Sequence, residues 1–182
     1  MNRAAVSAPL EQVKAAWAAL DAGAFASPSV DWRMNRPTVA VLGTHGGSGA
    51  STIALAIAEA LGEAHLLELA PPDTSGLIAA TTAELGEVTP GWWRGQRGEV
   101  IVEYLARRSL TGVIPAPAGS GLPLVVDVAD LAHHRLETPM VRRLLDSARL
   151  VVLTASATVP GWRRLAATAQ QLAPDVPLAF AV

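Results

Sequence analysis

Cysteine is absent from the 182-residue sequence, which excludes disulfides and thiolate catalysis. Charged residues make up only 16% of the chain, and the formal net charge of -2 gives no electrostatic footprint for nucleic acid. No apolar run approaches the ~18 uncharged residues of a membrane span, and the first residues lack the apolar stretch of a secretory signal. We therefore expect a soluble cytoplasmic protein without a membrane span, and we do not expect it to bind nucleic acid.

The sequence does contain many apolar residues, mostly alanine and valine, and its length suits one domain with a core. Residues 1–36 are predicted to form an N-terminal helix and a linker, and residues 37–182 a single domain. Apolar residues recur at helical spacing in that first helix, at Leu10, Val13, Trp17 and Leu20. Two roles stay open for the helix, packing on its own domain or docking a partner.

Short strands and helices alternate from Thr38 onward. The predicted strands are short and apolar and span 38–43, 65–70, 111–117, 122–130, 148–155 and 176–182. The predicted helices span about 50–61, 137–147 and 160–173. Residues 100–108 fit a helix or a strand. This alternation predicts an α/β fold with a doubly wound, mostly parallel sheet and helices on both faces.

A glycine-rich loop joins the first predicted strand to the helix that follows. This geometry points backbone N–H groups and the positive end of a helix at one small volume, which suits an anion. Gly46, Gly47 and Gly49 let the backbone approach a phosphate without an intervening Cβ. Ser51 stands where a P-loop hydroxyl holds magnesium.

The loop departs from the full P-loop pattern G-x-x-x-x-G-K-[ST] at two positions. Thr44 replaces the first glycine, and Ala50 replaces the lysine. That lysine lies along the β- and γ-phosphates and offsets the charge that develops during transfer. A charge-assisted contact of this kind contributes ~1.5–3 kcal/mol to binding. We therefore expect at most weak binding of ATP or ADP with magnesium, and no efficient hydrolysis.

The residues HGGSGAST at 45–52 resemble the deviant Walker A motif of the MinD/ParA family, K-G-G-x-G-K-[ST]-[ST]. The three glycines, Ser51 and Thr52 match the motif. The family's signature lysine falls on His45, and its phosphate-binding lysine falls on Ala50. The form with alanine is most similar to the pilus-localisation and septum-site branch of that family, the TadZ/CpaE/Ssd-like proteins.

Other segments follow the family's order, so that the likeness covers about residues 38–182. The aspartate-rich end of the family's second strand corresponds to a segment in which Glu68 keeps one acid and Ala70 replaces the other. The Walker B aspartate falls on Asp127. The resemblance implies a P-loop fold in which Ser51 and Asp127 hold magnesium when nucleotide binds. It supplies no residues for adenine recognition, because the family's base-recognition motif follows the last strand.

Two of these positions have a simpler interpretation as well. Asp127 is either an acid near the magnesium ion or a strand-end carboxylate that caps a neighbouring loop. His45 either stands in for the signature lysine or makes ordinary hydrogen bonds in its loop, which we favour because a histidine is mostly neutral at pH 7.

A candidate partner surface combines tryptophan and arginine, the residues favoured at binding hot spots: Trp92, Trp93, Arg94 and Arg97. In the alternative interpretation one tryptophan packs on the sheet edge and the other is half exposed. The resemblance places this region near the family's nucleotide-dependent switch segments, which favours a partner surface.

The leading hypothesis is a non-catalytic or nearly inactive MinD/ParA-like protein that acts as a scaffold or localisation factor, with a protein partner and a possible homodimer. The first alternative is a slow nucleotide-switched ATPase to which a partner supplies a lysine or arginine. The second alternative is an accessory factor of DNA partition or conjugative transfer, which requires a basic surface that the composition does not show.

Overall fold

The computed structural model describes residues 9–21, 36–70, 76–105, 114, 116–130, 139–172 and 176–182. The chain forms two units, one of Met1–Val30 with Ser109–Ile114 and one of Asp31–Arg108 with Pro115–Val182. Within the first unit, helix α1 spans Leu10–Asp21 and carries an exposed ion pair between Lys14 and Glu11. The predicted linker over 24–36 lies outside the described residues except for Arg36, which belongs to the second unit.

An eight-stranded sheet forms the second unit. Its strands are β1 Thr38–Gly43, β2 Ala64–Glu68, β3 Ala83–Thr89, β4 Trp92–Arg97, β5 Val100–Leu105, β6 Leu124–Asp130, β7 Leu150–Thr154 and β8 Leu178–Ala181. Their spatial order is β3-β4-β5-β2-β6-β1-β7-β8. The pairs from β5 through β8 are parallel, whereas β4 is antiparallel to both β3 and β5. The predicted α/β class with a mostly parallel sheet is confirmed.

Three α-helices of this unit connect strands: α2 Ala50–Leu61, α3 Pro139–Ser147 and α4 Val159–Gln171. Helix α2 is rich in alanine and ends at Gly62, whose φ of 77° suits a residue without a Cβ. Helix α4 is capped by Thr158, whose side chain accepts a hydrogen bond from the Gly161 N–H. A short 3-10 helix spans Ile78–Ala80.

Both faces of the central strands are buried, which requires cover on both sides of the sheet. Helix α2 packs on one face, where Ala54 and Ala58 meet Val41, Leu66 and Val125. The connection from β1 to β2 passes over β6, and the connection from β6 to β7 passes over β1. These two connections therefore run in opposite directions along the sheet. Because crossovers between parallel strands are right-handed, we expect α2 and α3 on opposite faces.

Residues 83–97 form an antiparallel hairpin that the sequence analysis did not anticipate. Strand β3 is an edge strand with mostly exposed side chains, so its sequence contains no apolar run from which a strand could be predicted. Residues 100–105, which the periodicity left open, form a strand. The strand predicted over 111–117 lies mostly outside the described residues, and its described positions Ile114, Ala116 and Pro117 are not in a strand.

Candidate functional site

The glycine-rich loop lies at the carboxyl edge of the parallel strands. It connects β1 directly to α2, and β1 lies between β6 and β7. Because the connections after β1 and β6 run in opposite directions, this edge is a topological switch point, where ligands bind in open α/β sheets. The structure therefore places the predicted loop where a ligand site is expected for this fold.

Two glycines give the loop its shape. Gly47 and Gly49 have φ of 75° and 85°, in the left-handed region that disfavours residues with a Cβ. Gly43, at the end of β1, leaves room for a loop side chain: a Cβ there would lie 2.7 Å from Ser48 Oγ, so the serine hydroxyl would have to move. The loop is therefore folded back tightly on the strand that precedes it.

The first turn of α2 is left without a cap. Its N-cap residue is Gly49, and no side chain caps it. Within the described part of the chain, no group accepts a hydrogen bond from the N–H of Ala50, Ser51 or Thr52, and the first bonded N–H is that of Ile53, which donates to Gly49 O. These three donors and the positive end of the helix point towards the same volume. The arrangement is chemically suited to an anion such as a phosphate.

Strand β7 anchors the loop from the other side. The Thr44 N–H donates to Thr154 O at 3.0 Å, and the Thr44 hydroxyl donates to the same oxygen at 2.9 Å. Ser48 Oγ and Thr154 Oγ1 lie 2.9 Å apart in a further hydrogen bond. Strand β7 thus holds the loop conformation through three hydrogen bonds.

His45 joins the loop to the turn before α4. The Ser156 N–H donates to His45 Nε2 at 3.3 Å, so that nitrogen is an acceptor and the proton is assigned to Nδ1. Nδ1 then donates to Gly46 O at 2.8 Å. Ser156 Oγ also lies 3.1 Å from Nε2. Both ring nitrogens therefore make hydrogen bonds within the chain, as in the interpretation of His45 as an ordinary loop histidine.

Ala50, at the position of the P-loop lysine, belongs to the hydrophobic core. Its side chain packs in the cluster between α2 and the sheet, 3.4 Å from where a Cβ on Gly43 would lie. The only lysine of the sequence is Lys14, in the first unit. Position 50 therefore contributes packing and no charge. Ser51, next to it, is half-buried at the start of α2, and Thr52 is exposed.

Asp127 and Glu68 are fully buried and lie side by side on β6 and β2. Asp127 is also in register with Val41, so it shares the face of the sheet that α2 covers. Its Oδ1 accepts a hydrogen bond from the Ala129 N–H at 3.0 Å. Ala129 has a φ of 66°, uncommon for a non-glycine residue, at the bulge where β6 shifts its register. Asp127 therefore stabilises a bulge at the site edge.

Glu68 binds the backbone just before the 3-10 helix. Its Oε1 accepts hydrogen bonds from the Gly76 N–H at 3.1 Å and the Leu77 N–H at 3.5 Å. Ala70, where the family has its second acid, is buried and apolar. Among the described residues, no group of three or more histidine, aspartate or glutamate side chains is placed to hold a metal ion.

The predicted partner surface is wrong in one residue, Trp92. Trp92 is fully buried and is not available to a partner. Trp93 points to the other face and is 39% exposed. Arg94 donates to Glu103, and Arg97 donates to Glu59 and to a backbone carbonyl. Of the four residues, only Trp93 offers a large exposed apolar surface.

A buried polar network lies on the sheet face opposite α2, and no local sequence pattern predicts it. It consists of Arg36, His65, Arg94, Glu103 and Ser120, which come from three strands and two strand-entry segments. His65 and Glu103 are fully buried. Arg36 donates to His65 Nδ1 at 3.0 Å, and its guanidinium also donates to the Ser120 hydroxyl and to Ser120 O.

Glu103 provides the negative charge of this network. Because Arg36 can only donate, His65 Nδ1 accepts and the proton is assigned to Nε2, which lies 3.2 Å from Glu103 Oε2. The contact is close, although its angle is not that of a good hydrogen bond. Arg94 Nε donates to the other oxygen at 3.0 Å. Burial raises the pKa of Glu103, but its contacts with His65 and Arg94 outweigh burial and hold the pKa below its ordinary value.

Tyr104 is the remaining buried titratable group near the carboxyl edge. Its hydroxyl has no hydrogen-bond partner in the described part of the chain. Burial raises the pKa of Tyr104, and the nearby carboxylates of Glu84 and Glu68 raise it further. The side chain is therefore kept neutral in an environment that does not satisfy its hydroxyl.

Comparison with protein-family models and with curated proteins gives no match for this chain. The resemblance to the MinD/ParA family therefore depends on the motif residues and their order, and it stays a prediction. Of the described helices, none combines the length and the apolar character that crossing a bilayer requires.

Proposed function

We propose that this chain is a degenerate P-loop protein of the MinD/ParA type that does not hydrolyse nucleotide efficiently and acts as a scaffold or localisation factor through protein contacts. The observation that carries the proposal is a contrast within one loop. Three N–H donors at the start of α2 are left without partners among the described residues. Ala50, at the position of the lysine in the P-loop pattern, instead packs in the core.

The lysine and the two arginines considered as sources of the missing charge are already paired. Lys14 is the only lysine, and it pairs with Glu11 within α1. Arg94 and Arg97, the arginines considered for rescue, donate to Glu103 and Glu59. Phosphoryl transfer needs charge neutralisation around the transferred group, so the proposal assigns the loop to binding at most.

Backbone donors alone are expected to hold a phosphate weakly. The absent lysine contact is worth about 1.5–3 kcal/mol, which corresponds to roughly a 10- to 100-fold loss of affinity. Ser51 and Asp127 would then be the magnesium ligands only while nucleotide is bound. A regulatory or structural role for bound nucleotide stays compatible with such an affinity, whereas rapid turnover does not.

Calorimetry with ATP and ADP in the presence of magnesium tests the proposal, with wild type, Ala50→Lys and Ala50→Lys/Ser51→Ala compared. We expect Ala50→Lys to bind about 10- to 100-fold more tightly than wild type, and the added Ser51→Ala change to reduce that gain. Circular dichroism and thermal melting establish that each variant is folded, because Ala50 is a core residue.

A turnover assay at high protein concentration completes the experiment. Robust, Ser51-dependent ATP hydrolysis by the wild-type chain would overturn the proposed lack of catalysis. If neither wild type nor a folded Ala50→Lys variant binds nucleotide, the loop is a tight strand–helix turn and the P-loop assignment is wrong.

A further inference from the structure

We propose that copies of this chain associate head to tail, through a contact between the first turns of α4 in one copy and the edge strand β3 of the next. The two surfaces carry opposite charge and exposed apolar side chains. The proposal is independent of nucleotide binding, because neither surface includes the glycine-rich loop.

The α4 surface is cationic and apolar. Val159 is 67% exposed and Trp162 is 52% exposed. Val159, Trp162 and Arg163 are separated by three and four positions, so they lie on one side of the helix, and Arg164 follows. Both arginines are exposed and have no ion pair in the described part of the chain, and α4 contains no acidic residue. Tryptophan beside arginine is the composition favoured at binding hot spots.

The β3 surface is the complement of the α4 surface. Glu84 and Glu87 are exposed, and β3 carries no cation. Leu85 is 54% exposed and Val88 is 37% exposed, and each occupies a position where the pairing with β4 shifts its register. Such bulges discourage strand addition at an edge. We therefore expect side chains, and not a continued sheet, to form the contact.

The two surfaces cannot meet within one molecule. Strand β3 is at one end of the eight-stranded sheet, and α4 connects β7 to β8 at the other end. At roughly 4.8 Å between neighbouring strands, they are about 30 Å apart. A contact between two different surfaces builds a closed ring or an open chain of copies, and not a symmetric dimer. The apolar side chains involved are few, so the association is expected to be weak.

Sedimentation velocity over a range of protein and salt concentrations tests the proposal on the full chain. We expect the average mass to rise with protein concentration and the association to weaken as salt screens the charges. Arg163→Glu and Glu84→Arg should each lower the association constant at least about 10-fold, the size expected for placing like charges opposite each other in a contact. Arg149→Glu, a charge reversal at an exposed arginine outside α4, is the matched control and should leave association unchanged.

Mixing the two variants is the decisive step. Arg163→Glu and Glu84→Arg chains should each associate at least about 10-fold more weakly than wild type when alone. When combined they should recover the association, because the mixture restores complementary charges. A mass that does not change with concentration, an equal effect of Arg149→Glu, or a mixture that fails to associate would each overturn the proposal. Unchanged circular dichroism spectra ensure that the variants are compared as folded proteins.

Discussion

Replacing Glu103 by glutamine removes the one negative charge of the buried network while nearly preserving the shape of the side chain. Arg94 loses its ionic partner. The new amide can present its oxygen to Arg94, but its NH2 group then faces His65 Nε2, which carries a proton. His65 cannot relieve this clash by moving its proton, because its Nδ1 accepts a hydrogen bond from Arg36. The substitution therefore places two buried hydrogen-bond donors, the glutamine NH2 group and His65 Nε2–H, against each other.

The size of the effect follows from burial. Removing one partner of a buried ion pair destabilises a protein by about 3–5 kcal/mol. The Arg94 side chain is 22% exposed, so its guanidinium regains some contact with water. We therefore expect a loss near the lower end of that range, about 3 kcal/mol. For a chain of this size, 1 kcal/mol corresponds to about 2–4 °C in melting temperature, so the Tm should fall by about 6–12 °C.

Denaturant unfolding of wild type, Glu103→Gln and Glu59→Gln measures this difference. Glu59 also pairs with an arginine, Arg97, but the two side chains are 45% and 41% exposed. An exposed pair of that kind contributes about 0–1 kcal/mol. If Glu103→Gln and Glu59→Gln lower the free energy of unfolding by the same amount, the buried network contributes no more stability than an exposed ion pair.

The pH dependence provides a second check on the same carboxylate. Because the folded pKa of Glu103 lies below its ordinary value, its stabilisation is complete above the unfolded pKa of about 4.3. It is lost as the pH falls through the folded pKa. The stability difference between wild type and Glu103→Gln should therefore stay constant from about pH 7 to pH 5 and narrow below about pH 4. A difference that grows in acid would contradict the assignment.

Three further predictions concern single groups. Tyr104 is the only tyrosine, so tyrosinate absorbance reports its titration alone. The titration midpoint of Tyr104 should lie above the ordinary value of about 10 in the folded protein. It should return to that value in denaturant. Tyr104→Phe should raise the free energy of unfolding by about 1–2 kcal/mol, because it removes a buried hydroxyl without a partner, and a loss of stability would show that the hydroxyl is satisfied. Gly161→Ala should lower the free energy of unfolding by about 1–3 kcal/mol, because its Cβ would lie 2.1 Å from Ser156 O. The control Gly76→Ala, whose Cβ would have open space around it, should change that free energy by less than about 0.5 kcal/mol.

Local patterns in the sequence were sufficient for the elements that surround the candidate site. The β-branched run that forms β1 and the alanine-rich segment that forms α2 have the predicted bounds, because a buried strand and a helix each require a continuous run of suitable residues. The glycines between them already indicated a tight loop. The class of the sheet followed from the alternation of strands and helices.

Other features depend on residues that are distant in the sequence and therefore needed the tertiary structure. Trp92 and Trp93 are adjacent and chemically identical, yet one is fully buried and the other is exposed, because neighbouring residues of a strand face opposite sides of the sheet. The polar nature of β3 hides a strand whose pairing is provided by β4.

The buried network is the clearest example of a feature that only the tertiary structure determines. Arg36 lies 29 residues from His65 and 84 residues from Ser120 in the chain, and the order of the strands alone brings them together. The sequence by itself determined where the glycine-rich loop lies and that Ala50 brings no charge to it. Only the tertiary structure decided that the Ala50 side chain packs in the core and that the arginines of β4 are already paired, because burial and ion pairing are properties of neighbours in space.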